Sequence, residues 1–367
     1  MRFSTLLKNP AEWMRASGPH HSIVMTSRVR LARNLVDHPF PGWAKKEERE
    51  HLLEAVKPRV EELSEMKDAF SEEMTDLSAI EKQVLVERHL ISREHAAKGS
   101  GCATVMNRKQ TVSIMINEED HLRMQAIRPG LQLSAAFESL DRIDTELERS
   151  LPYAFDPRHG FLTACPTNLG TGLRASAMLH LPALVLSEQI NQTIQGANKI
   201  RLAVRGLYGE GTEALANLFQ VSNQTTLGSS EPDIIEHLDK VILQIIENEE
   251  NARQKLIEES PIMLKDQIGR AYGILTHAGK IASKEALNHL SMIRLGSDLN
   301  VFDGDQREDI DLLLTEIQPA HMQVEAKKKL SAEDRDILRA EIIRRNLNGL
   351  TNPNFSGIFE KRDLDDE

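Results

Sequence analysis

The sequence has few cysteines, no long apolar run and no excess of positive charge. Its two cysteines are too few for a disulfide framework, and no secretory segment follows Met1. No apolar run approaches the roughly 18 residues of a membrane span, so we expect a cytoplasmic chain in a reducing compartment. The formal net charge of -11 argues against duplex nucleic acid as the main partner, because phosphate binding requires a dominant positive surface.

The 367 residues, 40% of them apolar, can form a substantial core. Apolar spacing predicts strands at Ile23–Met25, Val84–Ile91, Ala103–Met106, Thr111–Ile116 and Ile200–Val204. It predicts helices over residues 47–63, kinked or divided at Pro58, and over 174–195, interrupted at Pro182.

The chain changes character after its clearest helix, which Ser230 opens with Asp233 as a capping-box partner. Strand signals vanish near Ser260, and residues 263–348 predict successive helices. We therefore expect an α+β fold whose first domain, residues 1–257, is catalytic. A smaller all-helical domain over 258–350 and an acidic flexible tail over 351–367 should follow.

Residues 165–176 combine Cys165, two glycines and Arg174 on what is predicted to be a turn entering a helix. The glycines would let backbone N–H groups approach an anion, and a guanidinium can bind two phosphate oxygens at once. The segment lacks the remaining residues of a Walker loop or a dinucleotide fingerprint. The alternative is that the glycines only close a turn and that the cysteine is a small core residue.

Arginines are concentrated at Arg28, Arg30 and Arg33, where strand alternation would direct Arg28 and Arg30 to one face. In an acidic protein such a cluster favours binding of a compact polyanion. Carboxylates follow two of the predicted strands. Glu119 lies in Asn117–His121, for which a solvated acidic run is the alternative interpretation, and Glu210 lies in a loop with three glycines that could close over a ligand.

One reaction requires all of these groups. A guanidinium that attacks the γ-phosphate of ATP must lose a proton, yet with a pKa of ~12.5–13.8 only about one group in 10⁶ is neutral at pH 7, a deficit of roughly 8 kcal/mol. Two carboxylates can orient the guanidinium and accept the proton, while arginines and Mg²⁺ offset charge on the phosphoryl oxygens.

Four blocks, Thr26–Asn34, Asn117–His121, Cys165–Ser176 and Arg205–Glu213, resemble the signature blocks of the phosphagen kinases in the same order. The phrases Val84–Ser92 and His180–Leu186 further resemble bacterial protein arginine kinases. The resemblance implies a catalytic domain with a mainly antiparallel sheet flanked by helices. It also implies that ATP and Mg²⁺ take part, with much of the metal shell supplied by phosphates and water.

The resemblance further assigns site residues. Glu119 and Glu210 match the catalytic carboxylates, and Cys165 matches the thiol beside the guanidinium. Residues implied to contact ATP or to close over it are Thr26, Ser27, Arg28, Val29, Arg30, His89, Arg123, Arg174, Ala175, Ser176, Ala177, Met178, Arg205, Gly206, Leu207, Tyr208, Gly209 and Glu210.

The expected substrate is an arginine side chain on a protein. Kinases of free guanidines carry a helical domain before the first block, whereas 25 residues precede Thr26 here, so we expect an open acceptor site. The alternatives are a kinase of free arginine or another small guanidine, and a non-catalytic phosphoarginine-binding regulator. Arg335, Asp336, Arg339 and Ala340 match the allosteric phosphoarginine element of protein arginine kinases, although an ordinary charged helix has the same pattern.

The family resemblance also suggests partners. They are protein substrates with exposed arginines, a zinc-binding activator, a heat-shock repressor and a Clp-type AAA+ unfoldase, which would connect the product to proteolysis and the stress response. We expect a homodimer or a larger homo-oligomer.

Overall fold

The structure is a computed structural model that describes residues 1–206, 214–304 and 306–359. The strands in these ranges are β1 (Val24–Arg33), β2 (Phe70–Glu73), β3 (Ala103–Met106), β4 (Val112–Ile116), β5 (Leu122–Pro129), β6 (Phe155–Asp156), β7 (Gly160–Phe161), β8 (Leu173–His180), β9 (Leu202–Gly206) and β10 (Leu218–Asn223).

The α-helices in the same ranges are α1 (Phe3–Lys8), α2 (Lys46–Glu61), α3 (Ala79–Glu87), α4 (Arg93–Ala96), α5 (Leu133–Glu148), α6 (Pro182–Leu186), α7 (Ile190–Lys199), α8 (Glu231–Glu259), α9 (Pro261–His277), α10 (Ser283–Asp298), α11 (Arg307–Glu316), α12 (Pro319–Glu325), α13 (Ala332–Asn346) and α14 (Ser356–Phe359). None of the helices in the described ranges is long and apolar enough to cross a membrane.

The first of two compact units contains Met1–Pro19, Thr26–Ala177 and Ser222–Lys240. Its sheet has the order β2-β3-β4-β5-β1, and each neighbouring pair is antiparallel. The start of β8 follows β1. Every residue of β4 is buried, and helices α2 and α5 pack on the sheet strands. The predicted α+β class with a mainly antiparallel sheet is confirmed.

The second unit contains His20–Met25, Met178–Val221 and the chain from Val241 onward. Its strands have the order β8-β10-β9. Its core is formed by apolar residues of the successive helices α9, α10, α11 and α13, among them Ile268, Leu290 and Ile343. The predicted run of helices over 263–348 is therefore confirmed, whereas the predicted domain limits stay a prediction.

A buried group of ion pairs stabilises the second unit near α10. Asp298 accepts from Arg253 at 3.1 Å, and it lies 3.1 Å from Arg307 and 3.7 Å from Arg294. Arg294 pairs in turn with Asp311 at 2.7 Å. Paired charges of this kind satisfy one another, so the removal of one member would leave an uncompensated buried charge.

Two local predictions were wrong. Residues 84–87 belong to helix α3 instead of a strand, because Ser78 and Glu81 form a capping box that begins the helix there. Residues 174–180 form strand β8 instead of a helix. Helix α2 is not divided at Pro58 but continues to Glu61, since the proline lies in its last turns, and a kink there stays a prediction. The predicted helix beginning at Ser230 is confirmed: the Ser230 Oγ accepts from the Asp233 N–H at 3.3 Å.

Candidate active site

Four arginines of the first unit gather on one face of the sheet. Arg28 and Arg30 alternate along β1, and the β1–β5 register sets Arg123 opposite Ala32, so that all three side chains share a face. Arg174 lies at the start of β8, the strand next to β1. The predicted alternation of Arg28 and Arg30 is therefore confirmed.

Burial and mutual repulsion disfavour the charges of this cluster. Burial, followed by repulsion from Arg123 and Arg174, lowers the pKa of Arg28 from 12.5 to about 10. Burial and the same kind of repulsion, beginning with Arg28, lower the pKa of Arg30 well below its usual value despite an opposing effect from Glu118. The Nε of Arg30 is buried and has no hydrogen-bond partner in the structure. A polyanion bound here would relieve both effects.

His89 lies beside the cluster, where α3 ends in a left-handed residue with φ of 55°. Burial, and then the charges of Arg28 and Arg93, lower its pKa to about 4, so the ring is neutral near pH 7. The Gln125 side chain donates to its carbonyl at 2.7 Å, and the Trp13 ring lies 5.9 Å from the imidazole.

The turn between β4 and β5 carries three consecutive acidic residues. Ile116 pairs with Leu122, so residues 117–121 form a hairpin loop. Asn117 adopts a left-handed conformation with φ of 59°, which asparagine tolerates better than most residues. Its Nδ2 donates to the carbonyls of Arg49 and Gly101 at 3.0 and 2.7 Å, which holds the turn in place.

The first two carboxylates of the turn have different environments. Glu118 is buried and accepts from Arg123 at 2.9 Å and from the Ser92 hydroxyl at 2.5 Å. Burial alone would raise its pKa, but Arg123 and these hydrogen bonds hold the pKa below its usual value. Glu119 is 45% exposed and lies 3.5 Å from Arg123. Burial, followed by the charge of Asp120, raises the pKa of Glu119, which makes it the better proton acceptor.

Glu119 opens into a cavity of about 600 Å³ within the first unit. This volume lies within the ~300–1,000 Å³ typical of ligand sites. Residues lining the cavity are Phe40, Gly42, Trp43, Glu94, Lys98, Glu118, Glu119, Arg123 and Ala164. Arg123 thus belongs both to the arginine cluster and to the cavity wall, and it connects the cluster with the carboxylates.

The family described as "ATP:guanido phosphotransferase, C-terminal catalytic domain" matches residues 51–252, and the family described as "Protein-arginine kinase McsB C-terminal domain" matches residues 261–358. A curated protein-arginine kinase of Halothermothrix orenii is 46% identical over 93% of this chain and 97% of its own length. That of Halalkalibacterium halodurans is 48% identical over 91% of this chain and 94% of its own length. The chain belongs to the protein-arginine kinase family.

Solved structures of phosphagen kinases share the fold of this kinase. The duplicated taurocyamine kinase from Schistosoma mansoni, with bound transition-state-analogue components, matches 68% of this chain at 25% identity and a TM-score of 0.58. The match spans 36% of the length of that duplicated protein. A lombricine kinase structure covers 68% of this chain and 75% of its own at 24% identity and a TM-score of 0.56.

Cys165 is a partly exposed, free thiol of the kinase, and its Sγ lies 3.0 Å from the Thr167 hydroxyl. The preceding residue, Ala164, lines the cavity and donates its N–H to the Asp120 carboxylate at 2.7 Å. The turn that carries Glu119 thereby holds the cysteine segment as well. Cys165 is thus the neighbour in sequence of a residue that lines the cavity, and its predicted role stays a prediction.

The glycines after Cys165 have a structural explanation. Gly172 has φ of +65°, and a Cβ there would meet the Ala32 carbonyl oxygen at 2.6 Å. Gly170 has φ of +108° and lies against the Thr226 carbonyl oxygen. These glycines admit close backbone approach. The segment then enters strand β8, so the expected turn into a helix was wrong, and the binding role of Arg174 stays a prediction. Arg33 also differs from expectation, because it pairs with Asp144 at 2.6 Å and is buried.

The remaining predicted nucleotide residues are found in three places. Thr26, Ser27 and Val29 lie on β1, and the Ser27 hydroxyl donates to the Gly130 carbonyl at 2.8 Å, which gives it a structural role. The predicted nucleotide residues that lie on β8, besides Arg174, are Ala175, Ser176, Ala177 and Met178. Arg205 and Gly206 end β9, where Arg205 is exposed. The predicted residues Leu207, Tyr208, Gly209 and Glu210 lie outside the described residues.

The predicted phosphoarginine residues lie on α13 in the second unit. Arg339 is buried, and it donates to the carbonyls of Ile317 and Ile281 at 3.2 and 2.8 Å and to the Asp336 carboxylate at 2.5 Å. Ala340 is buried, whereas Arg335 is partly exposed and donates to the Leu330 carbonyl at 3.0 Å. Arg339 therefore anchors the helix, and Arg335 is the more accessible of the two cations.

Sequence reasoning missed several residues that shape the site. Glu118 orients Arg123, and Asp120 ties Ala164 to the turn, but their spacing did not distinguish them from Glu119. Glu94 and Trp43 line the cavity from α4 and from the loop after β1, far from the acidic turn in sequence. No local pattern could have identified them, because tertiary packing alone brings them together.

Proposed function

We propose that this protein transfers the γ-phosphoryl group of ATP to the guanidinium of arginine side chains in proteins. The observation that carries the proposal is the continuity, through Arg123, between a cluster of mutually repelling arginines and a cavity that presents Glu119. The arginine cluster suits a polyanion, and the cavity beside Glu119 suits a cation.

The residues present fit ATP as the phosphoryl donor. The buried, unpartnered Nε of Arg30 and the lowered pKa of Arg28 are the properties expected of a site that binds phosphate oxygens. Arg28, Arg30, Arg123 and Arg174 would hold the phosphate chain, with the neutral His89 beside them. Among the described residues, no group of three or more His, Cys, Asp or Glu could hold a metal ion. Phosphates and water would supply much of the Mg²⁺ shell, and the metal would neutralise charge on the phosphates.

Glu119 would act as the proton acceptor. As the N–P bond forms and the bond to the bridging oxygen of ADP breaks, the attacking nitrogen loses a proton to the Glu119 carboxylate. A raised pKa improves the driving force for this transfer, and the charge of Arg123 opposes the rise and favours the ionised carboxylate. Glu118 fixes the position of Arg123, and Cys165 would stand beside the acceptor.

Protein arginine is the proposed acceptor because curated relatives matched over more than 90% of this chain are named protein-arginine kinase. The test is incubation of the purified protein with γ-labelled ATP and an unfolded, arginine-containing protein. We expect label that is lost in acid and kept in base. Acid-stable label would refute an N–P bond, label on free arginine alone would support a small-guanidine kinase, and phosphoarginine binding without transfer would support a regulator.

We further propose that the product marks proteins for a Clp-type protease during stress, with a zinc-binding activator and a heat-shock repressor as partners. In the cytoplasm, product would report back through Arg335 and Asp336 on α13. The full-length Arg335→Ala protein should bind phosphoarginine more weakly than wild type in calorimetry, at unchanged ATP affinity. Equal phosphoarginine affinities in wild type and variant would show that the element is an ordinary charged helix.

A further inference from the structure

Trp43 is unusually exposed for a tryptophan. Its relative exposure is 88%, whereas Trp13, the other tryptophan of the chain, is 7% exposed. Exposed large apolar side chains often mark interaction surfaces, and tryptophan contributes strongly to binding where a partner covers it. Trp43 lines the same cavity as Glu119, which places this surface at the acceptor end of the site.

The loop that carries Trp43 is held firmly to the acidic turn. The Leu35 N–H donates to Nδ1 of His121 at 3.0 Å, so Nε2 carries the ring proton and donates to the Pro39 carbonyl at 3.0 Å. The Trp43 N–H donates to the Phe40 carbonyl at 2.8 Å. Trp43 is therefore exposed on an ordered loop whose anchor lies two residues from Glu119.

Glu94 contributes charge to the same cavity. It lies on α4, whose N-cap Ser92 accepts from the His95 N–H at 2.9 Å and donates to Glu118. The negative charge of Glu94 acts on Glu119. It is one of the causes that raise the pKa of Glu119, although burial and the charges of residues 118 and 120 contribute more. Three carboxylates and two cations line the cavity, so its formal charge is negative and suits a cationic segment.

We propose that Trp43 and Glu94 form a subsite for the residues that flank the target arginine in a protein substrate. Trp43 packs against an apolar flanking side chain, and Glu94 pairs with a cationic one. The cavity is larger than one arginine side chain, which leaves room for these neighbours. The inference rests on the proposed function and names its substrate class: arginines in exposed segments that carry apolar or basic neighbours.

The test uses three tryptophan-free peptides with one arginine each, flanked by glycine, leucine or lysine. Wild type should show kcat/KM about tenfold higher for the leucine and lysine peptides than for the glycine peptide. Trp43→Ala should lose the leucine preference and keep the lysine preference, and Glu94→Gln should do the reverse. The matched controls Leu227→Ala, at an apolar side chain 54% exposed, and Glu54→Gln, on the surface of α2, should keep both preferences.

An equilibrium readout separates this inference from the proposed function. Because Trp13 is buried, acrylamide quenching of the intrinsic fluorescence reports mainly on Trp43. At equal concentration, the leucine peptide should reduce acrylamide quenching of the fluorescence at least twofold more than the glycine peptide. Equal preferences in Trp43→Ala and wild type, or no protection, would overturn the subsite. Protection without any phosphoarginine from any substrate would overturn the proposed function and leave the binding surface standing.

Discussion

The arginine cluster predicts that Arg28 lowers the stability of the ligand-free protein. The shift in its pKa from 12.5 to about 10 corresponds to about 3 kcal/mol, at about 1.4 kcal/mol per pKa unit. Because the folded-state pKa is lowered, the cost is fully present below pH 10 and fades as the pH rises toward 12.5. Substitution by glutamine removes this charge and its cost, but the shorter side chain packs less well and offsets part of the gain. We therefore expect Arg28→Gln to raise the free energy of unfolding by about 2 kcal/mol.

The assay is thermal unfolding with and without ATP at pH 7. A gain of about 2 kcal/mol corresponds to a rise of roughly 4–8 °C in Tm for a unit of this size. ATP should bind Arg28→Gln roughly 10- to 100-fold more weakly, since a charge-assisted hydrogen bond contributes about 1.5–3 kcal/mol. The stabilisation by ATP should therefore shrink in the variant even though its ligand-free form melts higher.

Arg33→Gln is the matched control on the same strand. Arg33 is buried but paired with Asp144 at 2.6 Å, so its loss leaves a carboxylate without its partner. We expect Arg33→Gln to cost about 3–5 kcal/mol. A similar loss of stability in Arg28→Gln would refute the reasoning, because it would mean that favourable interactions of Arg28 outweigh its burial and repulsion in the ligand-free protein.

Three further predictions concern catalysis and the helical region. Glu119→Gln should lower turnover by about 10²–10⁴-fold with little change in ATP affinity, and wild-type turnover should fall as the pH drops through the raised pKa of Glu119; near-native turnover in the variant would remove it as the base. Cys165→Ser should impair turnover and Cys102→Ser should not, because Cys102 is buried; alkylation should label Cys165 first, and inactivation that tracks Cys102 would contradict this. Arg339→Ala should lower the melting temperature while Arg335→Ala leaves it unchanged, and equal melting would show that the buried hydrogen bonds of Arg339 contribute nothing.

Sequence reasoning succeeded where the pattern is local. The alternation of Arg28 and Arg30, the strand before the acidic turn and the Ser230 capping box each follow from residues close together in the chain. The strand predicted from the apolar run at Val84 was wrong, because short apolar runs fit either a strand or a buried helix. The capping box at Ser78 could have decided between them.

The candidate site was predicted only in part, because its halves come together by strand pairing. The resemblance to phosphagen kinases supplied Arg123 and His89, and the β1–β5 register explains how Arg123 reaches the cluster. The resemblance singled out Glu119, but residue spacing alone did not separate it from Glu118, which orients an arginine. That difference depends on Ser92 and Arg123, which pack against one carboxylate and leave the other half exposed.

Arg123 contacts both Glu118 and Glu119 and belongs to the arginine cluster. A nucleotide that pairs with Arg123 would weaken the ion pair between Arg123 and Glu119. A cationic acceptor beside Glu119 would change the electrostatic potential at the nucleotide. Thermodynamic linkage makes these effects reciprocal: whatever factor the donor applies to the acceptor's affinity, the acceptor applies to the donor's. We therefore expect the nucleotide and the acceptor of the proposed reaction to bind interdependently, and substitution of Arg123 to change the coupling between their dissociation constants.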